Sequence, residues 1–285
     1  MWKLDFFLLP STDYEQLGIN EAIRLEDNLI YLQENEHIAI PNEFYDIEDK
    51  NHLTICDYIY NMEQNEFSDY LLEIIWKLPH SDITYEEVDK KEEKGYLAIL
   101  HEDISNSIES ICVEKTYEIE KEKQIEVNDV IKVKRYYLNK VDSYKIYQDR
   151  AESCFPSVIF HEDAFKYISK MGKCSDVVQE LTRHLAVLND AGKKLYEYNG
   201  KNEKVTLDMM KSTYNIECSG KGSKEEASFN KEMEYLGKNY LLTCNPHTKL
   251  FNRHSAQRIY FCWGREEIRK HSLIIARIGN HWEEG

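Results

Sequence analysis

The stretch "CNPHTKLFNRHSAQRIYFCWG", Cys244 to Gly264, decides how the C-terminal half of this chain is read. Its end, "RIYFCWG", is apolar on both faces of a pleat. Ile259, Phe261 and Trp263 fall on one side, Tyr260 and Cys262 on the other, as in a central strand buried on both faces. Directly before it stand His247, Lys249, Arg253, His254 and Arg258. Arg258 enters where the strand begins, so its guanidinium can lie at the sheet's rim and hold a phosphate through paired N–H donors.

Working outward, "SLIIARIGNHW" reads as a further strand. Simple alternation puts Leu273, Ile275 and Arg277 on one face and Ile274, Ala276 and Ile278 on the other. Gly279 then releases a turn that exposes Asn280 and His281. "YLLTC" and "TKLF" are shorter strands upstream. Before them, the capping box "SKEE" at Ser223 to Glu226 predicts a helix, with Phe229, Met233, Leu236 and Tyr240 on its buried face. "FHEDAFKYISKMGK" predicts a short helix closed by Gly172. "SDVVQELTRHLAVLNDAG" predicts another, capped by Ser175 and ended by Gly192, with Val177, Val178, Leu181, Leu185 and Leu188 as its apolar stripe. Helices followed by short strands give an α+β fold, with helices packed on a small antiparallel sheet.

The N-terminal half is mixed. "SDYLLEIIWKLP" places Leu71, Leu72, Ile75 and Leu78 at helical spacing and stops at Pro79. From Ser107 to Tyr147 apolar and charged residues alternate, which predicts strands with one wet face. Pattern and charge both shift near Arg150 to Pro156, dividing the chain into an acidic mixed region, 1–150, and an α+β domain, 151–285.

The net charge of −16 belongs to the first half alone. Residues 1–150 hold 16 Lys and Arg against 34 Asp and Glu, and residues 151–285 hold 20 against 18. Gly237 to Trp282 carries eight basic and two acidic residues. Phosphate contacts are local, so the total charge does not exclude a nucleic-acid partner for that segment. No apolar run approaches the ~18 residues that span a bilayer. The seven cysteines lack CxxC spacing, which fits reduced thiols in a cytoplasmic protein.

The order helix, "PHTKL", "RH", "RIYF", final strand, "ARIGNH" resembles the RelE/ParE superfamily of toxin endoribonucleases, in particular its YafQ-type branch, over residues 223–285. Arg277 and His281 match the spacing of that branch's last strand. His247 matches its first histidine with Thr248 inserted before Lys249, and His254 matches the second loosely. "REEIRKH" lengthens the usual hairpin between the last two strands. The resemblance implies a metal-independent ribonuclease without cofactor, a toxin or antiphage effector acting on RNA, on or off the ribosome. It implies His281 as general acid, His247 or His254 as base or phosphate ligand, and Arg258, Arg277 and Lys249 as phosphate stabilisers. Arg253 and Tyr260 would contact the substrate.

Other readings attach to the same residues. "CSGKGSKEE" lacks the spacing of a nucleotide-binding loop, though Lys221 and Lys224 could touch RNA phosphate. Cys244, His247, His254 and Cys262 match no familiar zinc spacing. The acidic half could dock a basic protein partner or restrain the basic segment. A non-enzymatic adaptor for protein or nucleic acid and a metal-dependent nuclease are the alternatives to the ribonuclease.

Overall fold

The computed structural model describes residues 6–8, 19–33, 36–61, 66–82, 84, 129–220, 229–269 and 272–281. The described residues up to Tyr137 form one compact unit and those from Leu138 onward form another. Among them, no helix is long and apolar enough to cross a membrane.

The first unit pairs β1 (Phe6–Phe7) in parallel with β2 (Ile38–Ala39) and contains α1 (Ile19–Leu29), α2 (Ile55–Asn61), α3 (Glu66–Trp76) and α4 (Asp129–Leu138). α3 is the helix expected from its apolar spacing, with Leu71, Ile75 and Leu78 buried. The strands expected over 107–147 fare differently. Residues 107–128 lie outside those described, and "VIKVKRYYL" is helical. Val130, Ile131, Lys134, Arg135 and Leu138 are all buried, a helical spacing that includes two cations. Lys134 Nζ lies 2.6 Å from Glu36 Oε2 and donates to the Tyr31 carbonyl at 2.8 Å. A lysine paired in this way can occupy the inner face, so counting lysines as solvent-facing produced a false alternation.

In the second unit, α5 (Tyr144–Cys154) runs straight across position 150, where charge had suggested a boundary. The unit is α+β, and its main sheet has the order β3-β9-β8-β7-β4. β3 (Val158–Phe160) is parallel to β9 (Leu273–Asn280). β8 (Gln257–Cys262), β7 (His247–Lys249) and β4 (Glu217–Ser219) follow antiparallel. The sheet is therefore mixed rather than purely antiparallel, and it recruits strands from residue 158 onward.

A 3-10 helix, Ile168–Met171, is closed as expected by Gly172, at φ +113°. α6 (Cys174–Val187) starts at Lys173 with no side-chain cap, since the Ser175 hydroxyl bonds Asp176 instead. Nor does the helix end at Gly192. It passes through a π turn, Leu188–Gly192, into α7 (Lys193–Tyr198), and α8 (Glu203–Tyr214) follows. A Cβ on Gly192 would lie 2.8 Å from Leu273 Cδ1, so this glycine serves close helix–sheet packing rather than termination.

The largest departure from expectation is at 223–240. Residues 221–228 lie outside those described, the capping box among them. Beyond them the chain forms a hairpin of β5 (Asn230–Tyr235) and β6 (Lys238–Thr243) instead of a helix. Leu236 and Gly237, at φ 51° and 73°, make the tight two-residue turn that matches strand twist. Leu236, assigned above to a buried face, is 85% exposed. Met233, Tyr235 and Tyr240 pack on a cluster of Leu242, Cys244, Cys262, Ile268, Ile274 and Ala276.

The helix–sheet contact gives a direct test. Gly192→Val is expected to destabilise the protein by about 1–3 kcal/mol through overpacking against Leu273, read as a lower urea midpoint; an unchanged midpoint would contradict the close approach.

Candidate anion-binding face of the sheet

Strand register gathers the basic residues. His247 lies opposite Tyr260, which lies opposite Arg277; Lys249 lies opposite Arg258, which lies opposite Gly279. Cross-strand partners share a face, as do residues two apart along a strand. His247, Lys249, Arg258, Tyr260 and Arg277 therefore line one face.

Simple alternation along β9 would have placed Arg277 with Leu273 and Ile275. The ladder carries an irregularity instead, because Tyr260 pairs with Arg277 while Phe261 pairs with Ile275. Ala276 is thus an extra residue in β9, a bulge that reverses the strand's facing beyond it. Leu273, Ile275 and Ile278 turn to one face, where Leu273 meets Gly192. Ile274 and Ala276 join the cluster beneath the β5–β6 hairpin, and Arg277 points to that same side.

His247 is half-buried, with Nδ1 3.1 Å from the Asn245 carbonyl oxygen. A carbonyl only accepts, so Nδ1 carries the proton and Nε2 is left as acceptor. Burial draws its pKa down to about 4; the bond to Asn245 opposes this, and Arg258, Lys249 and His281 reinforce it. Burial also lowers Lys249, followed by Arg258 beside it, with Glu217 partly offsetting both. Arg258 Nη1 donates to the Ala256 carbonyl at 2.8 Å, while its Nε is buried with no hydrogen-bond partner. His281, exposed just past β9, lies close enough to repel a proton on His247.

Arg253 and His254 stand off this face, and Tyr260 lies on it but is buried. His254 lies in the exposed turn between β7 and β8, where its Nε2 accepts from Arg253 Nε at 2.9 Å. That turn is tied down by Glu180 Oε1, which accepts from Phe251 N. Burial raises the Glu180 pKa, but hydrogen bonds from His184 and Arg183 outweigh it and hold the carboxyl at about 2. Tyr260, expected to contact substrate, is 1% exposed. Its ring is stacked on Phe229 at 5.3 Å and tilted against His247 at 5.0 Å, so no base can stack on it. Lys221 and Lys224 lie outside the described residues.

The cysteines of the zinc alternative are core residues. Cys244 and Cys262 are both buried in the apolar cluster, where Cys244 Sγ donates to the Leu242 carbonyl at 3.6 Å and the neighbouring Cys262 together with burial raises the Cys244 pKa and keeps it protonated. Among the described residues no three His, Cys, Asp or Glu side chains are grouped to hold a metal ion.

Sequence reasoning missed Tyr167, whose ring lies beneath the Arg277 guanidinium at 4.0 Å. Gly279 makes room for it, since a Cβ there would lie 2.9 Å from Tyr167 Cβ. Nothing in "AFKYISK" signals a partner more than a hundred residues away. Compared with known proteins, the chain matches no family model, no curated protein and no solved structure.

The His247 environment has a measurable consequence. Its folded pKa, about 4, lies below the unfolded value of about 6.5. Its contribution to stability is therefore complete above about pH 6.5 and is lost as pH falls through about 4. In an NMR titration the His247 ring should remain neutral at pH 5.5 and protonate near pH 4; a midpoint near 6.5 would contradict this.

Proposed function

We propose that this protein is a metal-independent endoribonuclease whose site is the basic face of the main sheet. The observation that carries the reading is the convergence of His247, Lys249, Arg258 and Arg277 on that face, with His281 at its open end, in a chain of net charge −16. The resemblance of the C-terminal strands to RelE-type toxins supports the same chemistry and, with it, a toxin or antiphage setting. The residues suit cleavage in which the RNA supplies its own nucleophile. The 2′-hydroxyl oxygen attacks the adjacent phosphorus, its proton passes to a base, the P–O5′ bond breaks, and an acid protonates the leaving 5′-oxygen. His247, neutral with an accepting Nε2, takes the part of the base, and exposed His281 that of the acid. Arg258, Arg277 and Lys249 stabilise the charge that develops on phosphorus oxygens.

One observation favours a second reading. A pKa of about 4 makes His247 a weak proton acceptor at neutral pH, so the face also suits an adaptor that binds nucleic acid without cleaving it. Cleavage of labelled total RNA, with ribosomes supplied in a parallel reaction, separates the two. In excess EDTA the wild type is expected to release fragments ending in 2′,3′-cyclic phosphate. His281→Ala should abolish cleavage and keep RNA binding, and Arg258→Ala should slow it about 10²–10³-fold. RNA binding with no cleavage by the wild type would establish the adaptor. Cleavage that EDTA abolishes would establish a metal-dependent nuclease.

A further inference from the structure

The turn between β7 and β8 has a second side. Phe251, within it, follows Lys249 by two residues, so their Cα atoms are no more than about 7 Å apart. Its backbone stands in the left-handed region, at φ 66°, and the residue is 50% exposed. A bulky side chain keeps that conformation only where its surroundings enforce it. Here the enforcing contact is Glu180, whose Oε1 accepts from Phe251 N at 3.2 Å. The ring forms one wall of a cavity of about 210 Å³. Asp176, Gln179, Glu180 and Arg183 of α6, with Asn139 just past α4, line it as well.

Two of the lining side chains are already committed. Arg183 donates through Nε and Nη2 to the Glu180 carboxylate, and through Nη1 and Nη2 to the Tyr214 and Asn215 carbonyls. Glu180 also lies 3.1 Å from His184 Nε2. This pair is scaffold for the cavity and does not bond its contents. What remains is an excess of acceptors. Asn139 Oδ1 is buried and, among the described residues, has no hydrogen-bond partner. The Gln179 amide has none among them either, and Asp176 keeps one carboxylate oxygen beyond the one that accepts from Ser175 at 3.1 Å. Asp176 and Gln179, three apart on one helix, are neighbours on its surface. An aromatic wall, a carboxylate and two primary amides suit a planar heterocycle, held by stacking and by hydrogen bonds to its edge. Among RNA bases, guanine has two adjacent donors on its Watson–Crick edge, N1–H and N2–H, beside an acceptor oxygen. A carboxylate can take the donors and an amide N–H the oxygen.

We infer that this cavity is a guanine pocket, which seats one base of the RNA whose phosphates lie on the cationic face. The RNA part rests on the reading of that face given above, while base recognition stands on the cavity's own residues. Free guanosine offers the same edge, and the test separates the two sources. The turn joins the two surfaces, with Lys249 at its start toward phosphate and Phe251 toward the base. The size is right for a single base, since drug-sized ligands occupy about 300–1,000 Å³. An organic cation is the competing occupant. It would meet the Arg183 guanidinium in the wall, and Glu180 is already spent on that arginine.

The test is fluorescence anisotropy of the full chain with labelled, uncleavable 2′-O-methyl hexauridine, either plain or carrying one internal guanosine or inosine. Guanosine should tighten binding about tenfold or more over plain hexauridine, and inosine, which lacks the 2-amino group, should lose most of that gain. Asp176→Asn should erase the preference for guanosine over inosine. Phe251→Ala should weaken the guanosine oligomer about tenfold and leave plain hexauridine unchanged, while Phe251→Tyr, which keeps the ring, should bind as wild type does. Equal affinity for all three oligomers, with Arg258→Gln still weakening each, refutes the pocket and leaves the RNA face standing. If no oligomer binds but free guanosine does, and Asp176→Asn abolishes it in equilibrium dialysis, the pocket stands as a nucleoside site and the RNA reading fails. Binding of arginine amide, with no binding of guanosine free or in RNA, overturns the guanine assignment.

Discussion

The extra residue in β9 sets what this sheet can present. Without it, Arg277 would turn toward Leu273 and Ile275, where the π turn at Gly192 closes over the strand. An arginine there would be buried against an apolar helix surface, at a cost of several kcal/mol for an unpaired charge. With the bulge at Ala276, the inner end of the strand stays apolar on both faces. Its outer end turns a cation to the side that already holds His247 and Arg258. One backbone irregularity thus divides a single strand into a packing segment and a presenting segment, a recurrent use of bulges beside functional sites.

The second constraint is electrostatic. Like charges held together on a partly buried surface destabilise their own charged forms, and both His247 and Lys249 are lowered for that reason as well as by burial. The protein tolerates this by keeping His247 neutral, by placing Glu217 opposite Lys249, and by stacking Arg277 on Tyr167. Each of these arrangements lessens the mutual repulsion of the cations on the face. The Glu180, Arg183 and His184 knot does different work. It secures the turn that carries Arg253 and His254.

Much of the second unit was legible in the sequence because its signals are local. The apolar run Ile259 to Trp263 specified a central strand, and the spacing of His247, Lys249, Arg258, Arg277 and His281 survived as a shared location. Gly279, expected to release the last strand into a turn, lies inside it instead, because β9 continues through Asn280, which pairs with Gln257. Elsewhere the decisive contacts are distant in sequence. "VIKVKRYYL" misled because Lys134 is neutralised by Glu36, a pairing no local pattern shows. Phe229, Met233 and Tyr240 fit a helical stripe, yet the left-handed pair Leu236 and Gly237 folds that segment into a hairpin. Ala276 carries no mark of a bulge, and Tyr167 reaches the Arg277 guanidinium only because Gly279 leaves room for it. The acidic character of residues 1–150 names no partner.

The most direct test of the account is whether phosphate is held by this face at all. Arginine Nε–Hε resonances of Arg258 and Arg277, together with the His247 ring signals, can be followed by NMR as an uncleavable trinucleotide is added to the full chain. The account predicts that all three sets shift in parallel and saturate at one concentration, with Arg183, held by Glu180, unmoved. Shifts confined to residues elsewhere, with Arg258 and Arg277 unchanged at saturation, would contradict it.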